Sequence, residues 1–444
     1  MKKSWNPVLN KFIEIKNAYI DQFGEENLYS YNKEEETSLE YWVRMLNIKE
    51  YTDLIDKLQF SEHEDVLLIR YANFSKIYAN DKNDDINLES TDNTPQDFWD
   101  LHNGFYRECR SVTIDIKNNE LVHTPFRKFK NLNEDEENSL ENIQEKIKNA
   151  SCIEISNKLD GSMQSARFYK GRILMAGSQA INPNNSWRLT DGYRMLQNST
   201  NLQKMITEHP DETFIFEYIS LKDAHVVKYK KEQEGLYLIG IRNVNTGREY
   251  SYSEIKEYAI AYNIPMTEIF HKTFEDVLKE LDTKRSDEAE GFVINIDGYK
   301  LKIKYNDYVK MHRIFSVLSA PNLLIHSIAD GNYDDFISKV PEAYRERVLD
   351  VSKDIFTYIS KIESIIEYYY KIAPKEDRKS FMIYVDEYVP KECKGYIRSK
   401  YLGKEYNILK TSNIHYKNNN DIQNFLKKEI DTNFTNTKDE LEYE

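Results

Sequence analysis

Between residues 110 and 305 the chain is divided into short β-like runs by turn signals, and this spacing limits its fold more than any other feature. SVTIDI and ELVHTPF flank Asn118-Asn119, a residue pair suited to a hairpin turn. The run CIEI, from Cys152, is followed by SNKLDGS and then by MQSARFYKGRILMAG, which reads as a second hairpin. TFIFEYIS, GLYLIGIRNV, EGFVINID and YKLKIKY continue the strand pattern. Helices intervene: NLNEDEENSLENIQEKIKNA reads as an acidic loop running into a helix, and SYSEIKEYAIAY as a helix with a serine cap. The expected class is α+β.

On either side the character changes. Residues 1 to about 80 mix patterns, with YTDLIDKLQF resembling an amphipathic helix and DVLLIRYANF a buried strand. Asn80 to Gln96 is polar and turn-rich, hence a loop. Beyond about residue 320, Ile355, Ile359, Ile362 and Ile366 recur at helical spacing and strand signals fade. The expected division is 1–320, with an extended N-terminal region before about 100, and a separate helical domain over 321–444. The polar stretch from about Asn418 is expected to fray.

Composition narrows the function. At 444 residues the chain is long enough for more than one domain, 40% apolar residues suffice for a sizeable core, and 13% aromatic residues argue against a disordered protein. A formal charge of −14 argues against broad non-specific nucleic-acid binding, though not against a local basic groove. Cys109, Cys152 and Cys393 are far apart, which argues against a disulfide framework or structural zinc site and fits a reducing cytoplasm. No apolar run approaches membrane-spanning length, and the start lacks a signal-peptide pattern. A cytoplasmic protein, with no membrane partner, is expected.

The chemistry-bearing residues sit among the strands. Alone, K-x-D-G within SNKLDGS is a turn with a surface lysine. If YKLKIKY is a strand, its period of two puts Lys300, Lys302 and Lys304 on one face, a row that repels itself unless an anion lies over it. Glu217 in TFIFEYIS and Glu290 before GFVI are carboxylates in apolar contexts that call for a partner or a metal. Arg107 and Arg110 flank a strand, and Arg127, Lys128 and Lys130 surround Phe129, an interleaving that suits phosphate contact with base stacking and equally a surface loop. G-x-x-x-x-G-K-[ST], H-E-x-x-H and G-x-S-x-G do not occur.

The order of these pieces is informative. R-E-C-R, K-F-x-N-L, K-x-D-G-S, F-E-Y, E-G-F-V and K-I-K, in that sequence, resemble the covalent nucleotidyltransferases, the polynucleotide ligases and RNA capping enzymes. Within them RECRS, PFRKFKNLNE, FEYIS, EGFVI, LKIKYNDYVKMH and RNVNTGREYSYSEI are closest to ATP-dependent RNA ligases of the phage T4 RNA ligase 1 type, over roughly residues 100 to 315. A weaker likeness continues into SIADGNYDDF. The resemblance implies a ligase core of antiparallel sheets flanked by helices, followed by a mostly helical domain concerned with RNA specificity.

It also implies roles. Lys158 would attack the α-phosphorus of ATP and become lysyl-AMP; Glu217 and Glu290 would contact the nucleoside and support metal-dependent chemistry; Lys302 and Lys304 would contact phosphate. Arg110, Lys128, Phe129, Asp160, Gly161 and Tyr308 would belong to the ATP pocket, and Asp334 and Asp335 to a metal site. Two positions depart from the family pattern: Ser111 stands where glycine is usual, and Lys130 where a second phenylalanine is usual. The region before residue 100 is longer than in the phage enzyme.

A lysine amine, with a pKa of about 10.4, must lose its proton before it can attack. Neighbouring cations and desolvation both lower an amine pKa, and Lys302, Lys304 and Mg²⁺ (or Mn²⁺) are the expected agents. The implied cycle forms lysyl-AMP, transfers AMP to an RNA 5′-phosphate, and seals that end with a 3′-hydroxyl. Nicked tRNA is a candidate substrate. With no P-loop to phosphorylate an end, an end-healing kinase/phosphatase is the expected partner. The alternatives are an inactive RNA-binding protein on a ligase scaffold, or a DNA ligase or guanylyltransferase of the same chemistry, in a bacterial or phage-infected cell.

Overall fold

The computed structural model describes residues 3–72, 96–223, 225–319 and 322–409 apart from 330, 332, 339 and 341. All but the last residue of the loop expected at 80–96, and the tail from 418, lie outside the described residues. The chain divides into two compact units, Met1–Val309 and Lys310–Glu444. No helix among the described residues is long and apolar enough to cross a membrane.

The strands of the first unit are β1 (Leu58–His63), β2 (Val66–Tyr71), β3 (Arg110–Asp115), β4 (Glu120–His123), β5 (Ile153–Lys158), β6 (Ser162–Tyr169), β7 (Arg172–Gly177), β8 (Glu212–Ile219), β9 (Gly235–Asn243), β10 (Ile269–Phe270), β11 (Gly291–Ile296) and β12 (Tyr299–Lys304). Among the described residues they make three four-stranded sheets, ordered β1-β2-β3-β4, β10-β5-β11-β12 and β7-β6-β8-β9. Every pairing is antiparallel. The α+β class and the antiparallel sheets are those the sequence predicts.

The N-terminal region is part of this unit. Its first helix, Pro7–Phe23, starts where the Asn6 side chain accepts from the Val8 and Leu9 N–H groups at 2.9 and 3.1 Å, with Pro7 at the first helical position. Val8, Phe12, Ile15 and Tyr19 recur at helical spacing and form a stripe buried in one core with Val112, Ile114 and Leu121 of the first sheet. β2 pairs directly with β3, so the extra N-terminal length supplies half of a sheet. One expectation needs correction here. YTDLIDKLQF is not one helix: the helix is Lys49–Ile55, and Leu58 opens β1. Pairing of Leu58 and Phe60 with Tyr71 and Ile69 overrides the helical period.

The third sheet has its own core. Phe214, Phe216 and Tyr218 point from one face of β8 into apolar residues of helices Trp187–Gln197, Thr200–Glu208 and Tyr252–Tyr262. The alternate residue Glu217 therefore faces the opposite way. The first two of these helices were not anticipated. The third carries its serine cap: Ser251 Oγ accepts from Glu254 N–H, and the Glu254 carboxylate accepts from Ser251 N–H. The regular elements in the described part of the second unit are all helices. Its longest element, Glu342–Ile372, buries Ile355, Tyr358, Ile362 and Ile366.

Candidate active site

Lys158 ends β5. Cross-strand register sets Gly291 beside it and Lys304 beyond Gly291. The next rows are Ser156–Val293–Lys302 and Glu154–Asn295–Lys300. Because residues two apart share a face, Lys158 and the whole β12 lysine row stand on one surface. A Cβ on Gly291 would lie 2.1 Å from the Ile303 carbonyl oxygen and 2.7 Å from Lys304 Cα, so only glycine lets β11 and β12 close here. Behind Lys158, a Cβ on Gly161 would lie 2.4 Å from the Tyr218 carbonyl oxygen. The glycine of K-x-D-G thus permits close contact of the turn with β8, and the Gly161 N–H donates to Glu217 Oε1 at 2.9 Å.

A cavity of about 170 Å³ opens on this surface, lined among others by Arg110, Phe129, Lys158, Glu217, Lys302 and Lys304. Glu290, 3% exposed, lies under the lysines: Lys158 Nζ donates to its Oε2 at 2.6 Å, and Lys304 Nζ is 3.1 Å from its Oε1. Burial alone would raise the Glu290 pKa, but the two lysines outweigh it and hold the carboxyl below its usual range. Burial pushes the Lys158 ammonium toward neutrality, yet Glu290, Glu217 and Asp160 together lift its pKa above the ordinary value. The expectation that cations depress Lys158 is therefore corrected: its near neighbours are carboxylates, and its amine is held as an ammonium. The depressed lysine is Lys302, brought down first by burial and then by Lys128 and Arg110. Glu217 is pushed up to about 7, by burial first and then by the Glu290 charge, against the pull of Lys158.

Phe129 comes to this cavity because its segment runs along β12. Lys302 N–H donates to the Lys130 carbonyl at 3.0 Å, and Leu132 N–H to the Lys302 carbonyl at 2.9 Å. Lys302 Nζ and the Arg110 guanidinium lie 5.0 and 5.3 Å from the Phe129 ring centre, a cation–π arrangement. The Arg110 Nη1 is buried with no hydrogen-bond partner. Pairing along β3 jumps from Ile69–Val112 to Arg70–Arg110, leaving Ser111 as a bulged residue with φ +66°. A left-handed bulge residue is ordinarily glycine, the residue that the resemblance leads one to expect at this position. Ser111 is held there by its Oγ donating to the Ser178 carbonyl at 2.8 Å. Lys130, the second departure, is buried and paired with Asp135 at 2.7 Å.

Other expected site residues fall elsewhere. Lys128 lines a neighbouring cavity of about 600 Å³, together with Arg107, Arg127 and Tyr299, and lies 5.0 Å from the Trp99 ring centre. Phe129 and Lys300 border both cavities. Lys300 is paired with Glu249. Asp160 is turned inward: its carboxylate accepts from Val226 N–H, Val227 N–H and Tyr308 Oη at 3.0, 2.9 and 2.8 Å. Tyr308 therefore reaches the site through Asp160. Asp334 and Asp335 lie on helix Tyr333–Ser338 of the second unit; Asp334 is exposed, and the Asp335 side chain is outside the described residues. Among the described residues no group of three or more His, Cys, Asp or Glu side chains could hold a metal ion. Sequence reasoning missed Asp223, His225 and Tyr229, although the segment DAHVVKY, just after FEYIS, carries acid, imidazole and phenol close together.

Residues 108–308 match the family model described as RNA ligase, of the T4 RNA ligase 1 type. Among solved structures, a Naegleria gruberi RNA ligase with PPi is similar at 18% identity and a TM-score of 0.31, over 38% of this chain and 55% of that one. A mutant of the same ligase with ATP and Mn gives 19% and 0.32, over 38% and 55%. An archaeal ATP-dependent RNA ligase gives 16% and 0.39, over 66% and 87%. The chain thus spans 55% of the length of the Naegleria ligase it matches. The match over residues 108–308 takes in Lys158, Glu217, Glu290, Lys302 and Lys304, and it is this segment that is similar to RNA ligases of the T4 RNA ligase 1 type.

Proposed function

We propose that the protein is an ATP-dependent RNA ligase that joins 5′-phosphate and 3′-hydroxyl RNA ends through lysyl-AMP and adenylylated RNA. One observation carries this reading: Lys158, Lys302, Lys304 and Arg110 converge on one cavity, with a buried Arg110 N–H group left unsatisfied. A buried donor without an acceptor is costly unless an anion serves it. A polyphosphate suits that donor and the lysine row together.

In the first step the Lys158 nitrogen forms a bond to the α-phosphorus, the bond from that phosphorus to the bridging oxygen breaks, and pyrophosphate leaves. The amine must first give up its proton, to solvent water at its partly exposed end, and its tie to Glu290. Glu290 can part from Lys158 because Lys304, 3.1 Å from its other oxygen, still balances its charge. Lys302, with its depressed pKa, gains a partner when phosphate arrives, so anion binding favours its charged form. AMP then passes to the RNA 5′-phosphate, and the 3′-hydroxyl attacks that end and releases AMP. For a divalent cation, Mg²⁺ or Mn²⁺, the cavity lining offers the Glu217 carboxylate, and such ions are commonly held by one or two carboxylates plus substrate phosphates. When bound, the ion neutralises charge on phosphate oxygens. The helical second unit is assigned to RNA specificity, tRNA nicked in its anticodon loop is the candidate substrate, and a separate kinase/phosphatase would prepare the ends.

The test is incubation with α-labelled ATP and Mg²⁺. The chain should take up label, Lys158→Ala should not, and a 5′-phosphorylated RNA should be joined. Equal labelling of both proteins would overturn the assignment.

A further inference from the structure

Behind the K-x-D-G turn, His225 stands between two buried aspartates. Its Nδ1 is 3.6 Å from Asp160 Oδ1 and its Nε2 is 3.0 Å from Asp223 Oδ2. Both aspartates hold the turn that carries Lys158. Asp160 is part of it, and its N–H donates to Tyr229 Oη at 2.8 Å. Asp223 accepts from Ser162 Oγ, just past Gly161, at 2.6 Å. A neutral imidazole has one N–H and one lone pair, so either tautomer would turn a lone pair toward a carboxylate. Only the imidazolium carries a positive charge for both carboxylates to attract, and at 3.6 Å the Nδ1 contact is one of charge and not a hydrogen bond. The Nε2 atom is buried without an aligned hydrogen bond, so its contact with Asp223 is one of charge.

We propose that His225 is a positioning residue that works as an imidazolium, tying Asp160 to Asp223 across the back of the turn and so aiming the Lys158 amine. This rests on the lysyl-AMP reading of Lys158.

The groups facing the ring come from several elements. Asp160 lies in the turn, Asp223 on the ring's own loop and Glu217 on β8. Arg188, from helix Trp187–Gln197, donates to Asp223 Oδ1 at 2.8 Å. Tyr308 Oη donates to Asp160 Oδ1, the oxygen nearest the ring, at 2.8 Å, and Tyr229 Oη accepts from the Asp160 N–H. Burial would push the imidazole toward its neutral form, but Asp223, Asp160 and Glu217 outweigh it and raise the pKa above 6.5. The folded-state value being raised, the clamp is complete below the ordinary imidazole pKa and is lost as pH rises through the raised one. Attack by the amine has the opposite pH preference, so the two dependences can be separated.

The experiment uses the full chain with two readouts. One is an NMR titration of the imidazole C–H signals, with His225→Gln assigning the resonance. The other is the rate of lysyl-AMP formation from α-labelled ATP and Mg²⁺ between about pH 6 and about pH 9, in the wild type, His225→Gln and His225→Lys, a range that brackets imidazole titration. His225 should titrate above the ordinary value. His225→Gln should be slower on the order of tenfold at the acidic end, the scale of a misaimed reacting group. That gap should close toward alkaline pH, where the wild type has lost the same charge. His225→Lys, which keeps a cation across the range, should recover part of the loss. A ratio of wild type to His225→Gln that is constant with pH, or a His225 titration at or below the ordinary value, overturns the proposal. A wild type that takes up no label defeats the ligase reading instead, and the NMR titration then decides the clamp alone.

Discussion

The two ends of β5 hold buried charge in opposite ways. At its start, Glu154 accepts from Tyr252 N–H, Ser253 N–H, Ser253 Oγ and Asn295 Nδ2 at 2.9 to 3.0 Å. Two of these donors are backbone groups at the start of helix Tyr252–Tyr262, where an anion is favoured. Burial raises the Glu154 pKa, but the hydrogen bonds outweigh it and keep the carboxyl below its usual range. At the other end, Lys158 and Glu290 are satisfied chiefly by each other and by Lys304. Backbone donors cannot be withdrawn without unfolding the helix they belong to. Side-chain ions can be exchanged for the charges of a ligand. One strand face thus carries a permanent anchor and, four residues on, a set of partners that a substrate can replace.

Four predictions bear on this contrast, from the largest effect to the smallest. Lys158→Arg should keep the fold, because a cation still faces Glu290. It should nonetheless lose lysyl-AMP formation by more than about 1,000-fold, since a guanidinium is not deprotonated. Labelling above background would mean that Lys158 is not the attacking group. Glu154→Ala should do the reverse: urea unfolding should show a loss of about 3 kcal/mol, because several buried donors lose a charged acceptor. Labelling of the folded protein should stay within about threefold of the wild type, as for two sites without shared partners. Loss of labelling at unchanged stability would erase the distinction between the two ends.

The third prediction concerns pH. Glu217 has its pKa raised from 4.5 to about 7, so the folded chain binds a proton there that the unfolded chain releases. Its contribution to stability is complete below the unfolded value and is lost as pH rises toward about 7. Thermal melts should therefore show a fall in Tm across that window that Glu217→Gln removes, and an identical slope in both proteins would contradict the burial of the carboxyl. The last effect is the smallest. Ser111→Gly relieves a left-handed residue, which costs about 1–2 kcal/mol for L side chains, but forfeits a hydrogen bond worth about 1 kcal/mol. The net change in unfolding free energy should be below about 1 kcal/mol, and a loss of several kcal/mol would show that the bulge depends on the serine.

Much of this architecture was legible because it is local or periodic. The alternation in YKLKIKY placed three lysines on one face, and the structure has them there. The hairpin of β6 and β7, the capped helix at Ser251 and the apolar run of β8 interrupted by Glu217 were readable in the same way. What escaped depends on partners distant in sequence. Glu290 is 132 residues from Lys158, and no spacing rule announces that its carboxylate would take the amine that the neighbouring cations were expected to depress. Asp160 reads like a pocket residue until its acceptors are seen to be filled by Val226, Val227 and Tyr308. The positive φ of Ser111 is likewise invisible in a residue that usually avoids it, and only the jump in pairing with β2 explains it.

The pairing of β2 with β3 also bears on how the gene can be handled. The family match begins at residue 108, and a natural way to obtain a smaller catalytic fragment would be to start translation there. Such a fragment would lack β1, β2 and the helix Pro7–Phe23. It would present β3 as a bare sheet edge, with Val112, Ile114 and Leu121 stripped of their cover. Unprotected apolar edges of this kind template association between copies. The smallest fragment expected to fold is accordingly larger than the matched segment: it begins near Trp5, whose indole donates to the Val244 carbonyl at 2.7 Å and whose ring lies 4.6 Å from Arg242.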